Sequence, residues 1–215
     1  MRLRKKPWIT EAILEFKDFV FTDSEQIKNM SWDECFANKA PLQVELGIGK
    51  GTFITELAKR HPYINFIGIE AQQDVLYYAA KKVAAENLTN VKLLVFDINH
   101  IMEAFKNNSI QRFYINFCDP WPKPRHAKRR LTHKGFLEKY QQLLVENGEV
   151  FFKTDNRPLF DFALEQFTEA NLKVEKLSFD LHNSDYLDNI KTEYETKFSN
   201  LGVKINRCEI LFNVK

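Results

Sequence analysis

The fold of this chain is decided by the stretch Leu42-Gln-Val-Glu-Leu-Gly-Ile-Gly-Lys-Gly51. It begins as an apolar run and continues with alternating glycines, which is typical of a buried strand that ends in a tight loop. Apolar residues then recur at helical spacing from Phe53 to Ala58, and His61-Pro62 stops the helix. The stretch therefore predicts a strand, a glycine loop and a helix in direct succession.

The alternation of strands and helices continues towards the C-terminus. Apolar runs predict further strands at 65–69, 91–96, 112–118 and 149–153. The helix before the last of these is expected to end at Asn147-Gly148. Two final strands, around 173–181 and 205–214, have no helical pattern of normal length between them. We therefore expect an α/β protein with a mostly parallel seven-stranded sheet, helices on both faces and an antiparallel C-terminal edge.

Composition favours a soluble globular protein in the cytoplasm. The chain has 215 residues, of which 44% are hydrophobic and 28% are charged. Residues 1–40 show no clear period and are interpreted as a basic N-terminal extension, followed by a single domain at 41–215. No signal peptide or membrane span is visible. Widely spaced cysteines and histidines without ligand spacing predict no disulfide framework and no metal site.

Four predicted strands carry an acid at or near their carboxyl ends: Glu45, Glu70, Asp97 and Asp119. Ligands of open parallel sheets bind at this edge. Helix capping explains one such acid, but the negative charges of four acids repel each other unless a bound ligand offsets them. Glu70 lies about twenty residues beyond the glycines, where an acid accepts hydrogen bonds from ribose hydroxyls, and Asp97 is placed for an adenine edge. S-adenosylmethionine, with its cationic centre, ribose diol and exocyclic amine, suits these acids.

The glycine spacing disfavours two other nucleotide-binding motifs. Gly47, Gly49 and Gly51 alternate, and position 52 is Thr, so the Gly-x-Gly-x-x-Gly pattern of NAD-binding proteins is not met. The P-loop pattern Gly-x-x-x-x-Gly-Lys-Ser/Thr is not met either. An NAD-dependent oxidoreductase is therefore disfavoured.

A second informative stretch is Asp119-Pro-Trp-Pro-Lys-Pro-Arg-His-Ala-Lys-Arg-Arg130. A carboxylate and a stiff Pro/Trp turn precede five Lys/Arg residues within 123–130, a segment without an acid. The net charge of the whole chain is only +2, so the clustering of cations, not their total, indicates a phosphate-binding surface. An acid beside such a surface suits an enzyme that acts on a nucleic-acid base. The basic cluster at Met1–Lys6 is explained equally well as a solvated charged face.

Together these motifs resemble the bacterial tRNA guanine-N7 methyltransferase family of the class I S-adenosylmethionine-dependent methyltransferases. The resemblance rests on Glu-x-Gly-x-Gly-x-Gly at 45–51, on the stretch 119–131, and on the later segments 152–157 and 192–198. It implies a Rossmann-like methyltransferase fold. It also implies transfer of a methyl group from S-adenosylmethionine to N7 of guanine-46 in the tRNA variable loop, with S-adenosylhomocysteine as product.

The resemblance further implies roles for individual residues. The cofactor site would be lined by Glu45, Gly47, Gly49, Gly51, Glu70, Asp97 and Asp119. The guanosine or its nucleotide would contact Lys123, Asp155, Thr192, Glu193, Tyr194 and Glu195. The RNA would be held by Pro124, Arg125, His126, Ala127, Lys128, Arg129 and Arg130. Asp119 is expected to be catalytic, either by offsetting charge on the base or by orienting it, with Asp155 as the second acid.

Alternatives remain open at this point. Exocyclic-amine methyltransferases carry Asp/Asn-Pro-Pro-aromatic at the same strand end, close to Asp119-Pro-Trp-Pro122. A non-catalytic RNA-binding module with a methyltransferase fold would bind tRNA without methyl transfer. A cysteine-nucleophile reaction is disfavoured, because Cys118 fits the alternation of a strand residue. We expect a monomer or homodimer that needs no obligate protein partner.

Overall fold

A computed structural model describes residues 6–212 of the chain. The described residues contain eight β-strands that form a mostly parallel sheet with helices between the strands, a Rossmann-like α/β architecture. The chain divides into two compact units, of which the first ends at Ala104 and the second begins at Phe105. Within residues 6–212, no helix has the length and apolarity needed to cross a membrane.

The first unit contains a parallel group of strands in the order β1-β4-β3-β2. Its strands are β1 (Val20–Phe21), β2 (Leu42–Leu46), β3 (Asn65–Glu70) and β4 (Val91–Val95). Its α-helices are α1 (Ile9–Ala12), α2 (Ser24–Lys28), α3 (Trp32–Phe36), α4 (Thr52–Arg60), α5 (Gln73–Ala85) and α6 (Ile101–Ala104). The predicted succession of strand, glycine loop and helix at 42–60 is confirmed.

The region before β2 packs into the first unit. Ile9 and Ile27 are fully buried, and the indole Nε1–H of Trp32 donates a hydrogen bond of 2.8 Å to the carbonyl of Ala104. Strand β1 pairs in parallel with β4, which adds an eighth strand to the described sheet. The prediction of seven strands was therefore wrong, because a strand of two residues is too short to show a period. The basic residues at 1–5 lie outside the described residues.

The second unit contains the strand order β5-β6-β8-β7. Strands β5 and β6 are parallel, whereas β8 is antiparallel to both β6 and β7. The predicted antiparallel C-terminal edge is thus confirmed. The strands are β5 (Ile110–Asn116), β6 (Leu144–Thr154), β7 (Lys173–Ser178) and β8 (Asn206–Leu211). The α-helices are α7 (Lys134–Leu143), α8 (Arg157–Glu169) and α9 (Glu193–Ser199), and 3-10 helices lie at Pro124–Arg129 and Leu181–Asn183.

Asn147-Gly148 does not end a helix, contrary to the prediction. Helix α7 ends at Leu143, and the two residues lie inside β6. Asn147 has a left-handed φ of +57°, and the pairing of β6 with β5 changes register in this region. An Asn-Gly pair suits a strand irregularity as well as a helix end, since a left-handed residue occurs at many helix ends and in one type of bulge.

Aromatic side chains fill much of the core of the second unit. The rings of Phe152 and Phe160 stack with centroids 5.7 Å apart, and those of Phe113 and Tyr140 lie 4.8 Å apart. This packing joins β6 to α8 and β5 to α7. It gives a rigid base to the carboxyl ends of β5 and β6, where the candidate residues lie.

Candidate active site

The loop after β2 forms an open cradle. Gly47 and Gly49 have φ values of +79° and +55°, and a Cβ atom on either residue would meet nothing within 4 Å. The backbone N–H groups of Gly47 and Ile48 donate to the carbonyl of Ile69 at 2.9 and 3.0 Å, which fixes the loop to β3. Gly51 has a different role, because a Cβ there would lie 2.5 Å from the Cβ of Ala79. Gly51 therefore serves the close packing of α4 against α5.

The predicted acids of the first unit occupy different environments. The half-buried Glu70 accepts hydrogen bonds from the backbone N–H groups of Gly49 at 3.2 Å and Gln72 at 3.0 Å. The structure thus joins the predicted acid to the predicted glycine loop. Asp97 is exposed and caps the 3-10 helix that follows β4. Glu45 is a buried residue within β2, with 3% of its surface exposed.

Asp119 lies in a turn whose backbone is unusual. Its side chain is exposed, shortly after the end of β5. Phe117 and Trp121, on either side of it, have φ values of +54° and +42°. Non-glycine residues seldom adopt this left-handed region, and such residues cluster at functional sites. The N–H of Phe117 donates to the carbonyl of Lys153 at 2.9 Å, which ties the turn to β6.

The basic segment, residues 123–130, presents most of its cations to solvent. Lys123 is the N-cap of the 3-10 helix Pro124–Arg129. The imidazole of His126 lies edge-on to the indole of Trp121, and the guanidinium of Arg129 lies 4.8 Å from the same indole. Arg130 differs from the others, because it is half-buried and donates hydrogen bonds to backbone carbonyls. The exposed cations are Lys123, Arg125, Lys128 and Arg129.

Asp155 and Tyr194, two predicted substrate contacts, are in direct contact. The hydroxyl of Tyr194 donates to Oδ2 of Asp155 at 3.0 Å. The ring of Tyr194 stacks on Phe198 at 4.2 Å and lies 5.1 Å from the ring of Phe117. Partial burial and the carboxylate of Asp155 raise the pKa of Tyr194 to about 12. The phenol is therefore a neutral donor that orients Asp155.

Glu195 is buried and holds several partners. Thr192 caps α9 by accepting a hydrogen bond of 2.9 Å from the N–H of Glu195. The carboxylate of Glu195 accepts from Lys153 Nζ at 2.6 Å and from Asn189 Nδ2 at 2.6 Å, and it lies 2.8 Å from Nε2 of His182. Burial alone would raise the pKa of Glu195, but these three partners lower it below the ordinary value. The carboxylate of Glu195 is therefore bound to other side chains of the protein. The neighbouring Glu193, also on α9, is half-buried.

Comparison with known proteins identifies the family. The family described as "Putative methyltransferase" matches residues 39–208. A tRNA (guanine-N(7)-)-methyltransferase of Halalkalibacterium halodurans is 48% identical over 212 residues, which cover 99% of this chain and 96% of that protein. A second one, of Geobacillus sp. strain WCH70, is 46% identical over 215 residues, 100% of this chain and 97% of that protein. This chain belongs to the tRNA (guanine-N(7)-)-methyltransferase family.

A solved structure of an antibiotic-related methyltransferase has the same fold. It is 15% identical to this chain, with a TM-score of 0.61, and the match covers 85% of this chain and 94% of that one. The predicted Rossmann-like methyltransferase fold is thus confirmed, as is the resemblance to the tRNA guanine-N7 methyltransferase family.

In this member of the tRNA guanine-N7 methyltransferase family, the sequence analysis missed the buried residues that support the candidate substrate contacts. Lys153 could have been noticed in the sequence, because it ends the apolar run Glu149–Lys153 and lysine is rarely buried unless it has a partner. His182 and Asn189 lie in the polar segment before α9, and no sequence pattern singles them out.

The prediction that Cys118 is a strand residue was wrong, because β5 ends at Asn116 and the half-buried Cys118 lies after it. Its thiol is nevertheless a poor nucleophile, because desolvation and the charge of Asp119 raise its pKa to about 12. No metal-binding cluster of His, Cys, Asp and Glu occurs within residues 6–212.

Proposed function

We propose that this protein transfers the methyl group of S-adenosylmethionine to N7 of guanine-46 in the variable loop of tRNA, with S-adenosylhomocysteine as product. One observation carries the proposal beyond family membership. The exposed carboxylate of Asp119 lies in a backbone turn with left-handed residues on either side, and the exposed cations of the basic segment begin four positions later, at Lys123. The proposed base-reading acid and the proposed phosphate-binding surface therefore lie close together in one stretch of chain.

The residues of the first unit fit the nucleoside of the proposed cofactor. Glu70 is oriented by two backbone N–H groups, and a carboxylate has about four acceptor sites, so ribose hydroxyls can still donate to it. The space beside Gly47 and Gly49 lets a ligand approach the backbone closely. Bound S-adenosylmethionine supplies an electrophilic methyl group on a sulfonium centre. Asp97 and Asp119 complete the proposed set of cofactor-binding residues. Glu45, which is buried, and Gly51, which packs against Ala79, contribute by supporting the fold around it.

Methyl transfer to guanine N7 requires little of the protein beyond the positioning of the two reactants. The nitrogen has an in-plane lone pair and carries no proton, so neither a general base nor a covalent intermediate is required. Positioning alone contributes about 7–11 kcal/mol in favourable cases. Asp119 offsets the positive charge that develops on the base or accepts hydrogen bonds from guanine N1–H and N2–H. Asp155, oriented by Tyr194, is the second acceptor.

The remaining proposed contacts come from the basic segment and from α9. Lys123, Thr192, Glu193 and Tyr194 contact the guanosine or its nucleotide, whereas the buried Glu195 contributes by holding α9 in place. Arg125, Lys128 and Arg129 bind tRNA phosphates, and Pro124, His126 and Ala127 shape the same surface. The protein acts in the cytoplasm as a monomer or homodimer, without an obligate protein partner.

Replacement of the proposed catalytic acid tests this function. Asp119→Ala is expected to abolish single-turnover methylation of tRNA while most tRNA affinity remains, because the cations of the basic segment are untouched. The matched control is Asp33→Ala, which removes an exposed carboxylate on α3 and should leave the rate unchanged. An Asp119→Ala rate equal to that of wild type would remove the assigned role.

A further inference from the structure

Arg130 closes the basic segment in sequence, but its side chain is engaged differently from those of its neighbours. Its Nε atom donates to the carbonyl of Pro120 at 3.1 Å, and its Nη2 atom donates to the carbonyl of Trp121 at 3.1 Å. A longer contact of 3.4 Å joins Nε to the carbonyl of Trp121 as well. The guanidinium lies 4.3 Å from the ring centroid of Phe162, on α8. The planar fork is thus held between a backbone turn and an aromatic side chain.

The two carbonyls that Arg130 binds, those of Pro120 and Trp121, lie on either side of the Cα atom of Trp121. This residue has a φ of +42°, a conformation that persists in a non-glycine residue only when its surroundings enforce it. Pro120 and Pro122 have no backbone N–H, so the turn has few donors of its own for internal hydrogen bonds. Arg130 supplies donors from outside this turn, and the turn begins at Asp119.

Solvent exposure separates Arg130 from the other cations of the segment. Arg125, Lys128 and Arg129 are exposed, as a contact to a phosphate backbone requires, whereas Arg130 is half-buried. A guanidinium with two of its nitrogens committed to carbonyls has less capacity left for bidentate binding of a phosphate.

We propose that Arg130 is a positioning residue, which fixes the turn Asp119–Trp121 and thereby the carboxylate of Asp119, and that it is not a tRNA phosphate contact. The inference rests on the proposed function, because the rate that it controls is that of methyl transfer. A lysine at this position keeps the charge but cannot reproduce the fork, since an ammonium group is a point charge. The role therefore depends on the shape of the guanidinium and not on its charge.

The experiment compares Arg130→Lys and Arg130→Gln with the charge-matched control Lys128→Gln. The tRNA affinity is measured against salt concentration, and the methylation rate is measured in a single turnover at saturating tRNA. We expect both Arg130 variants to lose at least tenfold in rate with an unchanged salt slope. Lys128→Gln should lose about 0.7–0.9 from the log–log slope, the contribution of one phosphate contact, and it serves as the positive control for the salt dependence.

A wild-type rate in Arg130→Lys, combined with a smaller salt slope in Arg130→Gln, would overturn the proposal and make Arg130 a phosphate contact. If Arg130→Gln fails to fold, the charge-conserving Arg130→Lys variant decides by its rate. Hydrogen exchange of the amides at 126–130 gives a readout without activity, and it should accelerate in Arg130→Lys but not in Lys128→Gln. The hydrogen-exchange measurement still tests the role of Arg130 if wild-type protein forms no 7-methylguanosine. That result would contradict the proposed function but not the positioning role of Arg130.

Discussion

Lys153 and Glu195 form a buried ion pair with a distance of 2.6 Å between Nζ and Oε2, and their side chains are 6% and 0% exposed. Lys153 also donates to the carbonyl of Ile190 at 2.7 Å. The pair ties α9 and the segment before it to β6. Because Asp155 directly follows β6 and Tyr194 lies on α9, the same pair supports the hydrogen bond between these two proposed substrate contacts.

Removing one partner of this pair should destabilise the fold strongly. Glu195→Gln leaves the ammonium of Lys153 buried without its counter-charge, which costs about 3–5 kcal/mol in the free energy of unfolding. The double variant Lys153→Met/Glu195→Leu should recover much of this loss, since it leaves no buried charge. Urea unfolding measures both effects. As a control, Arg157→Ala breaks the exposed pair with Asp161 and should cost below about 1 kcal/mol. Equal losses in Glu195→Gln and Arg157→Ala would contradict this account.

The stability that Glu195 contributes should depend on pH in a defined direction. Its pKa is lowered in the folded protein by Lys153, His182 and Asn189, despite its burial. A carboxylate of this kind stabilises the fold fully above its unfolded pKa of about 4.3 and loses that contribution as the pH falls through the folded value. The difference in unfolding free energy between wild type and Glu195→Gln should therefore shrink below about pH 4.3. A difference that stays constant from neutral to acid pH would show that folding does not lower the pKa of Glu195.

The glycines of the loop after β2 should separate into two classes. Gly51→Ala combines a φ of +78° with a Cβ at 2.5 Å from Ala79, and it should cost about 2 kcal/mol or more in stability. Gly47→Ala meets open space and should cost about 1 kcal/mol, the effect of its positive φ alone. Its main defect should instead be weaker binding of S-adenosylmethionine, because the Cβ enters the cradle. Thermal unfolding and titration calorimetry separate the two effects, and the reverse order would be inconsistent with the assigned roles.

The thiol of Cys118 should be chemically inert. Its pKa of about 12, raised by desolvation and by Asp119, leaves almost no thiolate near neutral pH. Alkylation of Cys118 by iodoacetamide in the folded protein should therefore be much slower than in urea. Cys118→Ala should retain methyl transfer within a fewfold of wild type. Loss of all activity in this variant, with the fold intact, would favour a cysteine-nucleophile mechanism.

Local patterns explain which parts of the structure the sequence could predict. The succession of β2, the glycine loop and α4 follows from residues adjacent in the chain. The contact between Glu70 and Gly49 follows from the pairing of neighbouring parallel strands, whose carboxyl ends share an edge. Strand β1 escaped prediction because two residues show no period.

Other features depend on residues that are distant in sequence. The pairing of Lys153 with Glu195 joins positions 42 residues apart, and neither residue reveals its partner. The basic segment looked uniform as a sequence, but burial separates Arg130 from Arg125 and Lys128. The helix end predicted at Asn147 was wrong because the left-handed conformation of this residue occurs both at helix ends and in strand irregularities.

The most direct test of the central claim incubates the purified protein with methyl-labelled S-adenosylmethionine and unmodified tRNA, and then identifies the labelled nucleoside after digestion. We predict label in 7-methylguanosine, and its loss when the guanosine at position 46 of the tRNA is replaced. Label in another nucleoside, such as an adenosine methylated on its exocyclic amine, would contradict the assigned reaction. Binding of tRNA without any label would contradict catalysis itself and favour a non-catalytic RNA-binding module.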